Sequence, residues 1–119
     1  MASGIRASIS DGQSALQSVR ATLEEYYGPV DLLLTDSGTS ALTLALRAAR
    51  SWRGDLPVAL PGYSCFDVAT AAAGTRAPVL LYDVDPGTLG PDLASLRQTL
   101  RKGVAAVVVS HDFNVIEML

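Results

Sequence analysis

The residues best suited to chemistry lie in Leu33-Leu34-Thr35-Asp36-Ser37-Gly38-Thr39-Ser40-Ala41-Leu42. An apolar run enters a tight turn, and a helix-forming sequence begins at once. Gly38 permits a sharp bend and the close approach of a ligand. Thr39 and Ser40 would offer backbone N–H groups and two hydroxyls at a helix start, where the macrodipole places roughly half a positive charge. That combination suits an anion, a phosphate above all. The same Ser-Gly-Thr-Ser run is also a competent N-cap that needs no ligand. The glycine spacings of a P-loop or a dinucleotide fingerprint are absent.

The remaining reactive side chains are few. Cys65 is the one cysteine and His111 the one histidine. Cys65 has no charged sequence neighbour before Asp67 and reads as a small buried residue and not a nucleophile. His111 closes an apolar run, a place where histidine is commonly structural. Lys102, the single lysine, stands at the end of a helical stretch and reads as a solvated helix-end cation. Asp83 and Asp85 form a carboxylate pair, but the Asp-x-Asp-Pro-Gly context reads as a turn. No metal-ligand spacing is present.

Elements must hold these residues in place. The 119 residues are 49% hydrophobic and 18% charged, a globular balance with room for one core. A net charge of −3 with no basic run longer than Arg101-Lys102 argues against nucleic acid or an anionic membrane as partner. One cysteine forms no internal disulfide, which suits a reducing, cytoplasmic setting. No stretch has the roughly 20 apolar residues that span a bilayer.

Residues 1–9 read as an arm. Ser10 and Asp11 would cap a helix to about Tyr27, with Leu16, Val19, Leu23 and Tyr26 on its buried face. Gly28-Pro29 stops it. Residues 30–35 read as a buried strand, and residues 40–50 as a helix. A strand at 56–60, a helix at 65–73 with Gly74 as its C-terminal cap, and a strand at 79–84 follow. Pro91 and Asp92 open a helix to about Lys102, and residues 104–110 form a last strand. The order α-β-α-β-α-β-α-β predicts an α/β fold, part of a three-layer α/β/α arrangement with a mostly parallel sheet.

Four stretches, in order, resemble the DegT/StrS family of pyridoxal-phosphate-dependent sugar aminotransferases, which have the aspartate-aminotransferase (type I) fold. Thr35 to Leu42 is similar to the family's Ser-Gly-Thr turn. Val58-Ala59-Leu60-Pro61-Gly62-Tyr63-Ser64-Cys65-Phe66 and Val68-Ala69-Thr70-Ala71 resemble its second strand and aromatic segment. Residues 78–86 with Thr88-Leu89 resemble the next strand and acidic turn, and residues 105–111 the strand that ends in a histidine. The resemblance implies that residues 1–111 are the N-terminal part of the family's large domain. It implies pyridoxal 5′-phosphate as cofactor, with Gly38, Thr39 and Ser40 on its phosphate. Tyr63 or Phe66 would stack on its ring, because Cys65 occupies the usual aromatic position; core packing is the competing role for both rings. His111 would stand at the edge of the site. The implied activity is amino transfer from a glutamate-like donor to a keto-sugar nucleotide, in a homo-oligomer.

Two departures qualify the expectation. No residue matches the family's covalent lysine or its pyridine-binding aspartate, so no catalytic residue is assigned and the chain reads as a fragment inactive alone. The alternatives are a non-enzymatic remnant that binds the cofactor or a phosphate, and a small α/β domain that binds another phosphorylated ligand. Residues 112–119 diverge from the family pattern, as a truncated or frame-shifted tail would. An open sheet edge then predicts marginal stability and self-association.

Overall fold

A computed structural model describes the backbone of residues 2–110 and the side chains of residues 11–110. His111 and residues 112–119 lie outside the described residues. The contacts divide the chain into Met1–Leu34 and Thr35–Leu119.

The first unit is one long helix, α1 (Ala2–Tyr27), and a segment without regular secondary structure. The expected loose arm is helical. Residues 2–9 contain no proline and only one glycine, so nothing in them halts a helix. Ser10 and Asp11 therefore lie inside α1 and cap nothing. Gly28, at φ +78, ends the helix by donating its N–H to Glu24 O at 2.9 Å. Of the stripe expected to be buried, only Leu23 is partly covered; Leu16, Val19 and Tyr26 are exposed. Residues 30–35 form no strand, and Leu33 is 73% exposed. A strand exists only with a hydrogen-bonded neighbour, and no described residue pairs with this run.

In the second unit three parallel strands lie in the order β2-β1-β3: β1 (Val58–Pro61), β2 (Val79–Tyr82) and β3 (Ala106–Val107). Val58 faces Val79 on one side and Ala106 on the other. Helices α2 (Gly38–Arg53), α3 (Phe66–Gly74) and α4 (Leu93–Arg101) cover the sheet. Alternation along β1 makes two cores. Val58 and Leu60 meet Leu46 of α2 and Ala72 of α3 on one face. Ala59 meets Tyr82 and Val104 on the other, where Leu96 of α4 packs. The expected three-layer α/β/α arrangement is present, with β1 buried along its whole length.

Strands are shorter than the apolar runs suggest. Residues 104–110 pair only at Ala106 and Val107, and the 79–84 run stops at Tyr82, with Val84 making an isolated bridge to Pro91. α3 starts one residue late, with Cys65 in the capping position, and continues through Gly74. Its left-handed exit falls on Arg76, φ 56, and not on the glycine. Asp92 caps α4 as expected, accepting from Ser95 N at 2.8 Å.

Candidate functional site

Antiparallel packing against β1 brings the N-terminal ends of α2 and α3 together at the carboxyl edge of the strands. Ligands of open α/β sheets bind at this edge. Between the two helix starts lies an open cleft of about 390 Å³, lined by Ser37, Gly38, Thr39 and Leu42 from one side and Asp67 and Val68 from the other.

The local sequence explains the cleft's polar wall. Ser37 is extended (φ −157, ψ 160) and caps α2, accepting from Ser40 N–H at 3.1 Å. Its hydroxyl donates in turn to Ser40 Oγ at 3.1 Å. Ala41 N–H donates to Ser37 O at 3.0 Å. The Ser40 amide is therefore already engaged, which corrects the expectation that it would be offered to an anion. The amides of Gly38 and Thr39 have no partner among the described residues, and both residues line the cleft. Gly38 has no positive φ, so it is not the bend the sequence suggested. A Cβ there would meet no atom within 4 Å.

Two carboxylates oppose an anion. Asp67 lies in the first turn of α3, and Asp36 precedes the cap. The Ser40 hydroxyl, followed by smaller contributions from its own and the Ser37 amide and hydroxyl groups, holds the Asp36 carboxyl below its ordinary 3.8 against a counteracting desolvation. Asp36 is thus ionised at neutral pH beside the cleft. Sequence reasoning passed over Asp67, Leu42 and Val68, although an acidic residue in a helix's first turn is a signal for its N-terminus.

The aromatic candidates occupy different places. Phe66 begins α3 and is 75% exposed. Tyr63 is 71% exposed and lines a separate small recess with Pro61, Tyr82 and Ser110. Neither ring is packed in the core, and neither lines the cleft. Cys65 is exposed, not buried; its Sγ donates to Asp67 Oδ2 at 3.6 Å. The segment after β1 lies on the surface, so a small apolar residue there gains no burial. Lys102 follows α4. That helix lies on the opposite face of the sheet and ends at the amino edge of the strands, away from the cleft.

Asp85 is a turn residue. Its Oδ1 accepts from Gly87 N at 2.7 Å and Thr88 N at 3.2 Å. Among the described residues no cluster of His, Cys, Asp and Glu is placed to hold a metal ion. Nor is any helix long and apolar enough to cross a membrane.

A parallel sheet covered by helices, with a cleft where two of the helices begin, defines the class of open α/β domains. Comparison with known proteins narrows the class. The pattern of the DegT/DnrJ/EryC1/StrS aminotransferase family matches residues 7–115, and the chain belongs to that family. It is 33% identical over 104 residues to L-glutamine:2-deoxy-scyllo-inosose aminotransferase of Micromonospora echinospora, covering 87% of this chain and 24% of that protein. It is 32% identical over 92 residues to L-glutamine:scyllo-inosose aminotransferase of Streptomyces griseus, covering 77% and 22%. With dTDP-4-dehydro-2,3,6-trideoxy-D-glucose 4-aminotransferase of Saccharopolyspora spinosa it shares 34% over 83 residues, covering 70% and 21%. The chain spans about a quarter of the length of these relatives. No solved structure matches it significantly.

Proposed function

We propose that the cleft between α2 and α3 holds the phosphate of pyridoxal 5′-phosphate, and that the chain is the phosphate-binding part of an aminotransferase. One observation supports this reading: Gly38 and Thr39, whose amides have no partner among the described residues, line a cleft at the start of two helices, on a family member. The donor set fits a phosphate. Two unpartnered amides, a threonine and the start of α2 belong to its lining, and Gly38 carries no side chain to oppose a close approach. The coenzyme, when bound, would supply the electron sink for amino transfer. The residues of this chain bind and orient it.

The relatives' names point to the acceptor: a ketone on a polyhydroxylated ring, either a keto-sugar nucleotide or an inosose. They also favour an amino donor of the glutamate or glutamine type. A homo-oligomer in the cytoplasm suits the whole enzyme. Tyr63 and Phe66 stay as ring-stacking candidates because both are solvent-facing and flank the start of α3. His111 stays a candidate for the site's edge. Lys102 favours binding without turnover within these 119 residues, since its helix ends at the opposite edge of the sheet.

Pyridoxamine 5′-phosphate and pyridoxamine, which carry no aldehyde to react with Lys102, make the test. Wild-type chain should bind the phosphorylated form at least about tenfold more tightly, with inorganic phosphate competing. Gly38→Val, which adds a branched side chain to a residue lining the cleft, should remove that preference. Equal affinity for the two compounds would refute the proposal. Lys102→Ala should leave both affinities unchanged.

A further inference from the structure

The two walls of the cleft are tied together by one side chain that lines neither. Thr43 lies one turn into α2, half-buried, and the single hydrogen of its Oγ1 is shared between Thr39 O at 2.8 Å and, as the weaker arm, Ala71 O at 3.3 Å. Thr39 belongs to the cleft's first wall. Ala71 is one helical turn beyond Asp67 of the second. Back-bonding from a helical threonine to the carbonyl four residues earlier is common and local. The second acceptor, 28 residues away on another helix, is not local. The methyl group of the same side chain is also spoken for. A Cβ on Gly74 would meet Thr43 Cγ2 at 3.3 Å and Oγ1 at 3.4 Å, so the glycine lets α3 approach α2 at this point. Ala71 and Ala72, both fully buried, continue that small-residue contact.

We infer that Thr43 is a positioning residue for the anion cleft, setting the separation of the α2 and α3 starts through its hydroxyl, with Gly74 as the socket for its methyl. The inference rests on the proposed phosphate-binding role of the cleft and deepens it. A phosphate needs donors within a few tenths of an ångström of their best positions. Spreading the walls by that amount weakens the phosphate contacts and leaves any ring contacts nearly unchanged.

The test compares pyridoxamine 5′-phosphate with pyridoxamine on the wild-type chain, Thr43→Val, Thr43→Ser and Gly74→Ala, with folding of each checked by circular dichroism. Loss of folded protein lowers both affinities together, whereas a shifted cleft changes their ratio. Thr43→Val keeps the shape and removes the hydroxyl; it should reduce the phosphate preference about fivefold to tenfold. Thr43→Ser should stay within about twofold of wild type. Gly74→Ala keeps every hydroxyl and pushes on the Thr43 methyl, so it should reduce the preference in the same direction and stands in should Thr43→Val fail to fold. An unchanged ratio in every variant that folds overturns the inference while leaving the phosphate reading intact. Equal loss in Thr43→Val and Thr43→Ser also overturns it, by assigning the effect to packing. Absence of any phosphate preference in the wild type removes the functional reading and this inference together.

Discussion

Asp36 is the residue whose charge would oppose an anion in the proposed site. Its carboxylate is held ionised by the Ser40 hydroxyl and lies beside the amides that would meet a phosphate. Asp36→Asn should tighten binding of pyridoxamine 5′-phosphate about twofold at low salt, an effect that fades as ionic strength shortens the screening length. The lowered value also has a sign. Folding favours the ionised form, so its contribution to stability is present above the ordinary 3.8 and is lost as pH falls through the folded value. An acid titration of α2 helicity should therefore show a loss below about pH 4 that Asp36→Asn lacks. Tyr82 behaves in the opposite sense. Its ring is 1% exposed and its hydroxyl donates to Val108 O at 2.7 Å, while burial raises its pKa above 10.0. The neutral phenol is favoured by folding, so this stabilisation holds below about pH 10 and is lost above it. Tyr82→Phe should cost about 0.5–1.5 kcal/mol near neutral pH, a drop of several degrees in Tm, and should flatten the alkaline limb.

Among the elements, α2 does the most to position the site. Its start is fixed by Ser37 and its end by Arg50. The Arg50 guanidinium donates to Leu56 O at 3.3 Å and Thr75 O at 3.2 Å, and pairs with Asp55 at 3.1 Å. The Asp55 side chain is almost wholly exposed, so the ion pair itself adds little. The two carbonyl bonds matter more, because they join the end of α2 to the approach to β1 and to the exit of α3. Arg50→Ala should destabilise the second unit by about 1–3 kcal/mol in a urea titration, through both lost carbonyl bonds. Asp55→Ala should change it by less than about 0.5 kcal/mol. Helices with strong caps were legible from the sequence at this scale: Asp92 before α4 and the run into α2 are local signals. The false strand at 30–35 came from the same kind of local evidence. Leu32, Leu33 and Leu34 are apolar enough for a strand, but a strand is a relation between two segments, and a run of side chains does not carry its partner.

Seen whole, the second unit is a three-stranded parallel sheet with both outer strands unpaired on one side among the described residues. β2 exposes Val79 and Leu81 next to its free edge, and Val109 is exposed just beyond β3. Parallel sheets are normally covered on both faces and paired at their edges, so these surfaces invite association. Light scattering on the eluting protein should show self-association at tens of micromolar, in the range where exposed edges aggregate. Leu81→Lys should shift the population toward monomer while changing stability by about 0.5 kcal/mol or less, because Leu81 is mostly exposed already. A sharp monomer peak for the wild type would contradict this account.

By itself the sequence determined what depends on near neighbours. Alternating apolar strands and amphipathic helices specify the α/β layers, Ser37 three residues before Ser40 specifies the α2 cap, and four ordered stretches specify the family. Tertiary structure alone decided which backbone groups are available and what faces what. The Ser40 amide is spent on Ser37, Gly38 has no positive φ, and Cys65, Tyr63 and Phe66 lie at the surface. The second cleft wall, with Asp67 and Val68, comes from a helix nearly thirty residues further along the chain. The physical reason is range: caps and periodicity act over a few residues, whereas a cleft is defined by the packing of helices on a sheet whose register no local pattern contains.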